Sequence, residues 1–361
     1  MNWIKIPIKL LILATITIAF LIFIEISVRY FYDNDNSTNE WYKSIPKAFW
    51  GEENYSLVLE TLDGTCKWPP MLHTNNITTY SKNFSCGGVT YINKKRLTLP
   101  AIKEWKKTIH VFGGSTTLGT GSIDKDTIPS LIQKNVINSQ TRVLNYGFPS
   151  YVSSQQNSLL VSSKSDIKKG DIVVYYDGGN DFWNSVMLGN YNGTMIGYNQ
   201  TNKYQIYIFN LRVWLSQNSS TYQLLSNIKH GRNKTSNQCS TDFQTGLMRI
   251  NKAANLYSYE VSKAKTIVEN LGASFYHFYQ PTLFDSVSLS TYEKKIFSQN
   301  PCWVIAGALK NNFDNELLDI SKDSIDLSNV LVGTDLFFDY IHTSSEGNKV
   351  ISKAIVSNIK K

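Results

Sequence analysis

From Thr108 onward the chain repeats one pattern: a short apolar run, a loop of small residues, then an amphipathic stretch. That alternation is how a parallel sheet covered by helices reads in sequence. Ile109-His110-Val111-Phe112 is the first expected strand and Val143-Leu144-Asn145-Tyr146 the second. Asp171 to Tyr176, apolar almost throughout, is the third, and Ser274 to Tyr279 the fourth. A helix is expected near Thr127 to Asn138, with Thr127 as its cap and Ile128, Leu131, Ile132 and Val136 on one face. Others are expected around Ser153 to Ser163, from about Ala253 to Leu271 with Gly272 closing it, and from Ser344 or Ser345. The last would turn Val350, Ile351, Ala354, Ile355 and Ile359 inward. The expected fold class is α/β, a flavodoxin-like doubly wound parallel sheet, which collects ligands at the carboxyl ends of its strands beside the topological switch point.

The flanks differ in character. Ile6 to Ile26 is a mostly apolar run, long enough at about 1.5 Å per residue to cross a bilayer core. Lys5 and Lys9 at its front favour a cytoplasmic N terminus, although Arg29 narrows the asymmetry. No small-residue cleavage pattern follows, and Glu25 to Tyr32 is bulky, so an uncleaved anchor is expected. Residues 1–32 are therefore read as a single-pass membrane anchor and residues 105–361 as an extracytoplasmic domain. Between them, 33–104 reads as an irregular extension with no helical period and Pro69-Pro70 in its middle. Within the domain, about 183–249 is rich in Asn, Tyr, Ser and Gly and reads as an insertion of the kind that shapes pockets.

At 361 residues and 42% hydrophobic composition the chain can bury one large core. Its net charge of +8 comes from scattered lysines, with no basic stripe interleaved with aromatics, so no nucleic-acid partner is expected. All four cysteines lie beyond the apolar run, where an oxidising compartment lets them pair. Three connectivities are possible; Cys66 with Cys86 and Cys239 with Cys302 is the expected one, because each pair is nearest in sequence and brackets an irregular stretch. The spacings match no zinc pattern, and neither metal nor cofactor is expected.

Three small-residue loops follow the first three strands: Gly113-Gly114-Ser115-Thr116-Thr117, Tyr146-Gly147-Phe148-Pro149 and Gly178-Gly179-Asn180-Asp181. With strand order 2-1-3 all three open onto one crevice. Near the C terminus Asp339-Tyr340-Ile341-His342 sets a carboxylate and an imidazole within one turn. Taken singly, each segment has a plain structural explanation: strand-to-helix turns for the glycine loops, Asp181 as a helix cap, and a capped loop around His342. Their order, each at the end of its expected strand, is what points to chemistry. His110 and His277 lie in strand-like runs and read as structural, His73 reads as a loop residue, and His230 has no chemical context.

This set resembles the SGNH (GDSL-like) hydrolase family over roughly Thr108 to Ile359, in block order as well as in motif. The resemblance implies the SGNH hydrolase fold, with Ser115 as nucleophile, His342 as base and Asp339 as the carboxylate behind it. It further implies an oxyanion hole from the Ser115 and Gly147 backbone N–H groups and the Asn180 amide. Glycine at 147 would let that backbone approach the oxyanion closely. One departure stands out: the family's GDS triplet is Gly113-Gly114-Ser115 here, glycine replacing aspartate, which questions what supports the loop.

The chemistry needs these residue types. A serine hydroxyl requires an adjacent base to attack an acyl carbon, the imidazole requires a carboxylate to fix its tautomer, and the tetrahedral oxyanion requires convergent donors. The expected activity is serine esterase action on acyl, foremost O-acetyl, esters of an extracytoplasmic glycan, with an acylated glycan or small ester as partner. Transfer of the acyl group to a surface polysaccharide is the second expectation, and a non-catalytic glycan-binding or assembly protein on the same fold the third.

Overall fold

The computed structural model describes residues 8–31, 52–62, 65–69, 71–74, 77–136, 140–191, 241–286, 289–298, 300–320 and 324–359, with single positions at 45, 49, 215, 219, 221, 222, 225 and 239. The chain divides into two compact units, Met1–Glu40 with Thr201–Asn237, and Trp41–Gln200 with Gln238–Lys361.

In the first unit, helix α1 runs Ile8–Phe31, five residues past the expected end of the apolar run at Ile26. Residues 1–7, where that run begins, lie outside the described residues. Among the described residues no helix is long and apolar enough to cross a membrane. Leu13, Ile16, Phe20 and Phe23 are all exposed. Glu25 is the helix's acidic interruption, and its carboxylate accepts from the Ser219 hydroxyl (2.8 Å) and the Thr221 N–H (3.2 Å).

The second unit holds an eight-stranded sheet. Its parallel half comprises β6 (Lys107–Gly113), β7 (Thr141–Asn145), β8 (Ile172–Asp177), β9 (Ser274–Tyr279) and β10 (Ser324–Asp326), side by side as β10-β9-β8-β6-β7. The first three strands are thus ordered 2-1-3, as expected, and the switch point lies between β6 and β8. Strand β8 is buried at all six positions because both of its faces are covered. Ile172, Val174 and Tyr176 meet helices α4 (Ile128–Val136) and α10 (Ser345–Ile359), while Val173 and Tyr175 meet α5 (Ser153–Ser162) and α7 (Phe243–Asn270). The period of two along the strand and the apolar helix faces on either side produce the doubly wound arrangement.

The expected caps are present. The Thr127 hydroxyl accepts from the Ser130 N–H (3.2 Å) at the start of α4, and the Ser344 hydroxyl accepts from Gly347 (3.2 Å) at the start of α10. His110 and His277 are fully buried and structural in their contacts: His110 Nε2 lies 3.2 Å from Asp171, and His277 Nε2 lies 3.0 Å from Asp177 and 2.8 Å from the Tyr257 hydroxyl. Both disulfides join the expected pairs, Cys66–Cys86 and Cys239–Cys302. His230 lies outside the described residues.

The extension at 33–104 departs from the irregular reading. It contains helix α2 (Glu52–Leu62), the hairpin β1 (Met71–Thr74) with β2 (Ile77–Tyr80), and strands β3 (Phe84–Cys86), β4 (Val89–Ile92) and β5 (Lys95–Arg96). His73 therefore sits in a strand, opposite Thr78, and not in a loop. Strands β3, β4 and β5 continue the main sheet antiparallel past β7. They are too short to show a period, but their two-residue turns are legible: Gly87-Gly88 and Asn93-Lys94, all at positive φ, close the hairpins in the way right-handed strand twist favours. The insertion is also shorter than expected at its far end, because α7 begins at Phe243, where the Asp242 carboxylate caps the Thr245 N–H (2.8 Å). Residues 192–214 lie outside the described residues.

Candidate active site

The loop after β6 turns directly into a short helix, α3 (Ser115–Leu118), with Gly114 in extended conformation as its N-cap. Ser115 is the first helical residue, so its N–H has no acceptor within the helix. Across the crevice, an antiparallel bridge between Phe337 and Thr343 pinches the segment carrying His342. Asp339 Oδ1 accepts the N–H groups of Ile341 (2.8 Å) and His342 (2.6 Å), which fixes the turn. Its other oxygen, Oδ2, lies 2.6 Å from His342 Nδ1, and His342 Nε2 lies 2.7 Å from Ser115 Oγ. A ring protonated at Nδ1 donates to the carboxylate and accepts the serine proton, so one tautomer satisfies the whole relay. Phe338 stacks on the imidazole with its centroid 5.7 Å away and the planes 10° apart. Residues separated by 227 positions in the chain thus share one hydrogen bond.

Of the three groups expected as oxyanion donors, one is engaged elsewhere. Asn180 opens α6 (Gly179–Phe182) after β8, and its Nδ2 donates one hydrogen to the Tyr151 carbonyl (2.9 Å), leaving the second free of that bond. Gly147 does not join it, because its single N–H donates to the Asn145 side-chain carbonyl (2.9 Å). The reason for glycine there is also different from the expected one. A Cβ on residue 147 would stand 2.1 Å from the Leu118 nitrogen, so the missing side chain lets β7's exit loop lie against α3.

The loop after Ser115 is supported by contacts that the sequence reading missed. Arg96, buried on β5, reaches the stretch after the serine helix: Nη1 donates to the Leu118 (2.8 Å) and Gly119 (2.7 Å) carbonyls, and Nη2 to the Ser122 carbonyl. Its Nε pairs with the buried Asp124 carboxylate at 3.0 Å. The Asn145 amide supports the same helix from the other side through the Thr117 carbonyl (2.9 Å). A planar guanidinium with several fixed donors is what such a set of carbonyls selects. The only signal in the sequence was an arginine in a segment read as irregular.

Asp181 also has a role other than capping its own helix. Its carboxylate accepts the Ser153 N–H (3.0 Å) and hydroxyl (2.6 Å), so it caps α5 from across the crevice. Burial, then the nearby Asp177 carboxylate, push the Asp181 carboxyl well above the ordinary carboxylate range, with the Ser153 hydrogen bonds pulling the other way. Beside Asn180 a cavity of about 230 Å³ is lined by Ser150, Val152, Trp183, Asn184, Leu188 and Tyr340. The rings of Trp183 and Tyr340 meet there at 5.1 Å. Among the described residues the one cluster of potential metal ligands, Glu60 with Cys66 and Cys86, lies away from this crevice and contains the two sulfurs of a disulfide.

Neither a family profile nor a curated protein sequence matches this chain. Solved structures do. A member of the lipolytic G-D-S-L family from Veillonella parvula is similar at 10% identity and a TM-score of 0.38, covering 71% of this chain and 100% of its own. A carbohydrate acetylesterase from Sinorhizobium meliloti is similar at 12% identity and a TM-score of 0.37, covering 71% and 99%. An acetylxylan esterase from Geobacillus stearothermophilus is similar at 10% identity and a TM-score of 0.35, covering 72% and 96%. Likeness this distant transfers no activity from one chain to another.

Proposed function

We propose that this chain is a serine esterase of the SGNH type that removes short acyl groups, foremost O-acetyl, from an extracytoplasmic glycan. The observation that carries the reading is the unbroken relay Asp339–His342–Ser115, with links of 2.6 and 2.7 Å. In this mechanism Ser115 Oγ attacks the ester carbonyl carbon while His342 Nε2 takes its proton. Asp339 stabilises the imidazolium through Nδ1 and holds its orientation. The oxyanion is met by the Ser115 N–H and the second hydrogen of Asn180 Nδ2. Collapse of the intermediate expels the sugar alkoxide, which takes the proton from His342, and water then releases the acid by the same steps in reverse order.

The small cavity beside Asn180 supports a short acyl group, being below the roughly 300–1,000 Å³ of sites for drug-sized ligands. Its Trp183 and Tyr340 rings suit the apolar face of a sugar. An oxidising compartment is supported by the two disulfides, and anchoring through the N-terminal helix by its apolar composition.

The test is acetate release from p-nitrophenyl acetate and from an acetylated polysaccharide by the full chain in detergent. Ser115→Ala is expected to abolish both; equal release by wild type and variant would exclude the mechanism. Adding a sugar acceptor and analysing products separates hydrolysis from transfer, since only transfer yields an acetylated acceptor.

A further inference from the structure

Two cavities lie where the antiparallel extension of the sheet meets the start of its parallel half. One of about 630 Å³ forms where the β4–β5 hairpin, the segment from Leu97 to Trp105, the start of β7 and the loop before β8 converge. A second, of about 350 Å³, adjoins it and shares Asn93, Lys95 and Asp166. Strand β6 enters the sheet at Lys107 beside this cleft and leaves it just before Ser115. From Lys107 to Gly113 the strand makes six steps of about 3.3 Å, so Trp105 at its entry and Ser115 at its exit stand at least roughly 20 Å apart along it.

The lining is built of two chemistries. Trp105 is 42% exposed, and the Arg142 guanidinium lies 3.8 Å from its ring centroid, so the indole is held in place while still facing solvent. Around it the charge is one-sided. Lys95 is matched by Asp166 at 3.1 Å, but among the described residues no carboxylate lies within 4.0 Å of the side-chain nitrogens of Arg142, Lys168 or Lys94. Arg142 spends its Nε on the Thr108 hydroxyl (3.0 Å), and Lys168 reaches only the Ser165 carbonyl (3.3 Å). An exposed indole fits the C–H face of a pyranose, and unpaired guanidinium and ammonium groups beside it fit a carboxylate on the same ring.

We propose that this cleft is a second carbohydrate site that takes a carboxylate-bearing sugar unit. It holds an acidic stretch of the polymer whose esters are cleaved at Ser115, and in that respect it rests on the glycan reading above. The roughly 20 Å between Trp105 and Ser115 along β6 would let one chain segment bind here while another, several sugar units away, enters the crevice.

The experiment is calorimetric titration of the full-length Ser115→Ala protein, in detergent at low salt, with an oligogalacturonate and with a neutral xylo-oligosaccharide of equal length. Saturable binding of the acidic sugar alone is expected, weakened roughly tenfold or more by Trp105→Ala, Arg142→Glu or Lys168→Glu. With Ser115 restored, the same three substitutions should leave p-nitrophenyl acetate hydrolysis unchanged. Lys168 is an exposed loop residue, so its substitution tests charge without risk to folding. Absence of binding, equal binding of the neutral sugar, or indifference to all three substitutions would overturn the site. So would capture of anionic phospholipid vesicles in place of the oligosaccharide, which would assign the charge to a membrane surface. Binding as expected in a protein that hydrolyses no ester would leave the cleft standing and remove the esterase reading instead.

Discussion

Asn180 Nδ2 lies 2.5 Å from the point where a Cβ on residue 114 would stand, so the side chain that offers a donor to the crevice occupies the space that the glycine leaves. Gly114 has φ −84°, which any residue can adopt, so an alanine there meets a steric obstacle and no backbone strain. The obstacle is the end of a movable side chain. Gly114→Ala should therefore fold, with a melting temperature within a few degrees of wild type, and should displace the amide from the oxyanion. Loss of one such donor lowers kcat by about 10²–10³. Steady-state hydrolysis of an acetyl ester beside a thermal melt checks both; an unchanged kcat would remove Asn180 from the mechanism. Gly147→Ala should behave in the opposite way, since its Cβ would meet the Leu118 backbone at 2.1 Å, and the loss should appear in folding.

Arg96 and Asp124 form an ion pair with side chains only 1% and 9% exposed, and the same guanidinium holds the backbone after the serine helix. A lysine supplies the charge without the fork of donors, leaving several carbonyls unmatched. Arg96→Lys should destabilise the fold by about 1–3 kcal/mol, the range for leaving buried acceptors without a donor, and reduce turnover in the fraction that remains folded. Denaturant unfolding with active-site titration distinguishes the two effects; a loss below about 1 kcal/mol would show that the clamp is dispensable.

How much of this could be read from residues alone follows from the length of each signal. Strand β8 and helices α4 and α10 carry enough apolar positions to reveal their period, and their alternation pointed to the flavodoxin-like sheet, whose order 2-1-3 brings the glycine loops together. Ser115 and His342 could be paired only through the order of the four motifs, since each segment alone has a plain structural explanation. The extension could not be read in the same way, since β5 has two residues and β3 three. Gly147 marks the further limit: its glycine was noticed, but whether its N–H faces the crevice or the Asn145 carbonyl is decided by tertiary packing, which spacing does not encode.

Asp339 uses one oxygen on the imidazole and the other on two backbone N–H groups, so it both orients His342 and shapes the turn that carries it. Asp339→Asn keeps the volume but presents an amide NH₂ to one set of donors. The imidazole then loses its stabilising partner and its favoured tautomer, with an expected fall in kcat of about 10³–10⁴. Combined with Ser115→Ala it should cost little beyond the single serine change, because the relay acts as a unit. Multiplying losses in the double variant would mean that Asp339 works through some route other than Ser115.

Asp181 gives the clearest pH prediction. Burial and the Asp177 carboxylate raise its folded-state carboxyl well above the unfolded value of about 3.9, so the native protein binds this proton more tightly than the unfolded chain does. Stability from a raised acid is present below the unfolded value and declines as pH rises toward the folded one. Asp181→Asn removes the ionisable group but keeps an oxygen to accept from Ser153, so this share of the decline should vanish. The difference in melting temperature, variant minus wild type, is then expected to grow as pH rises from about 4 to 8. A difference that stays flat across that range, or shrinks, would mean that Asp181 ionises as readily in the fold as outside it.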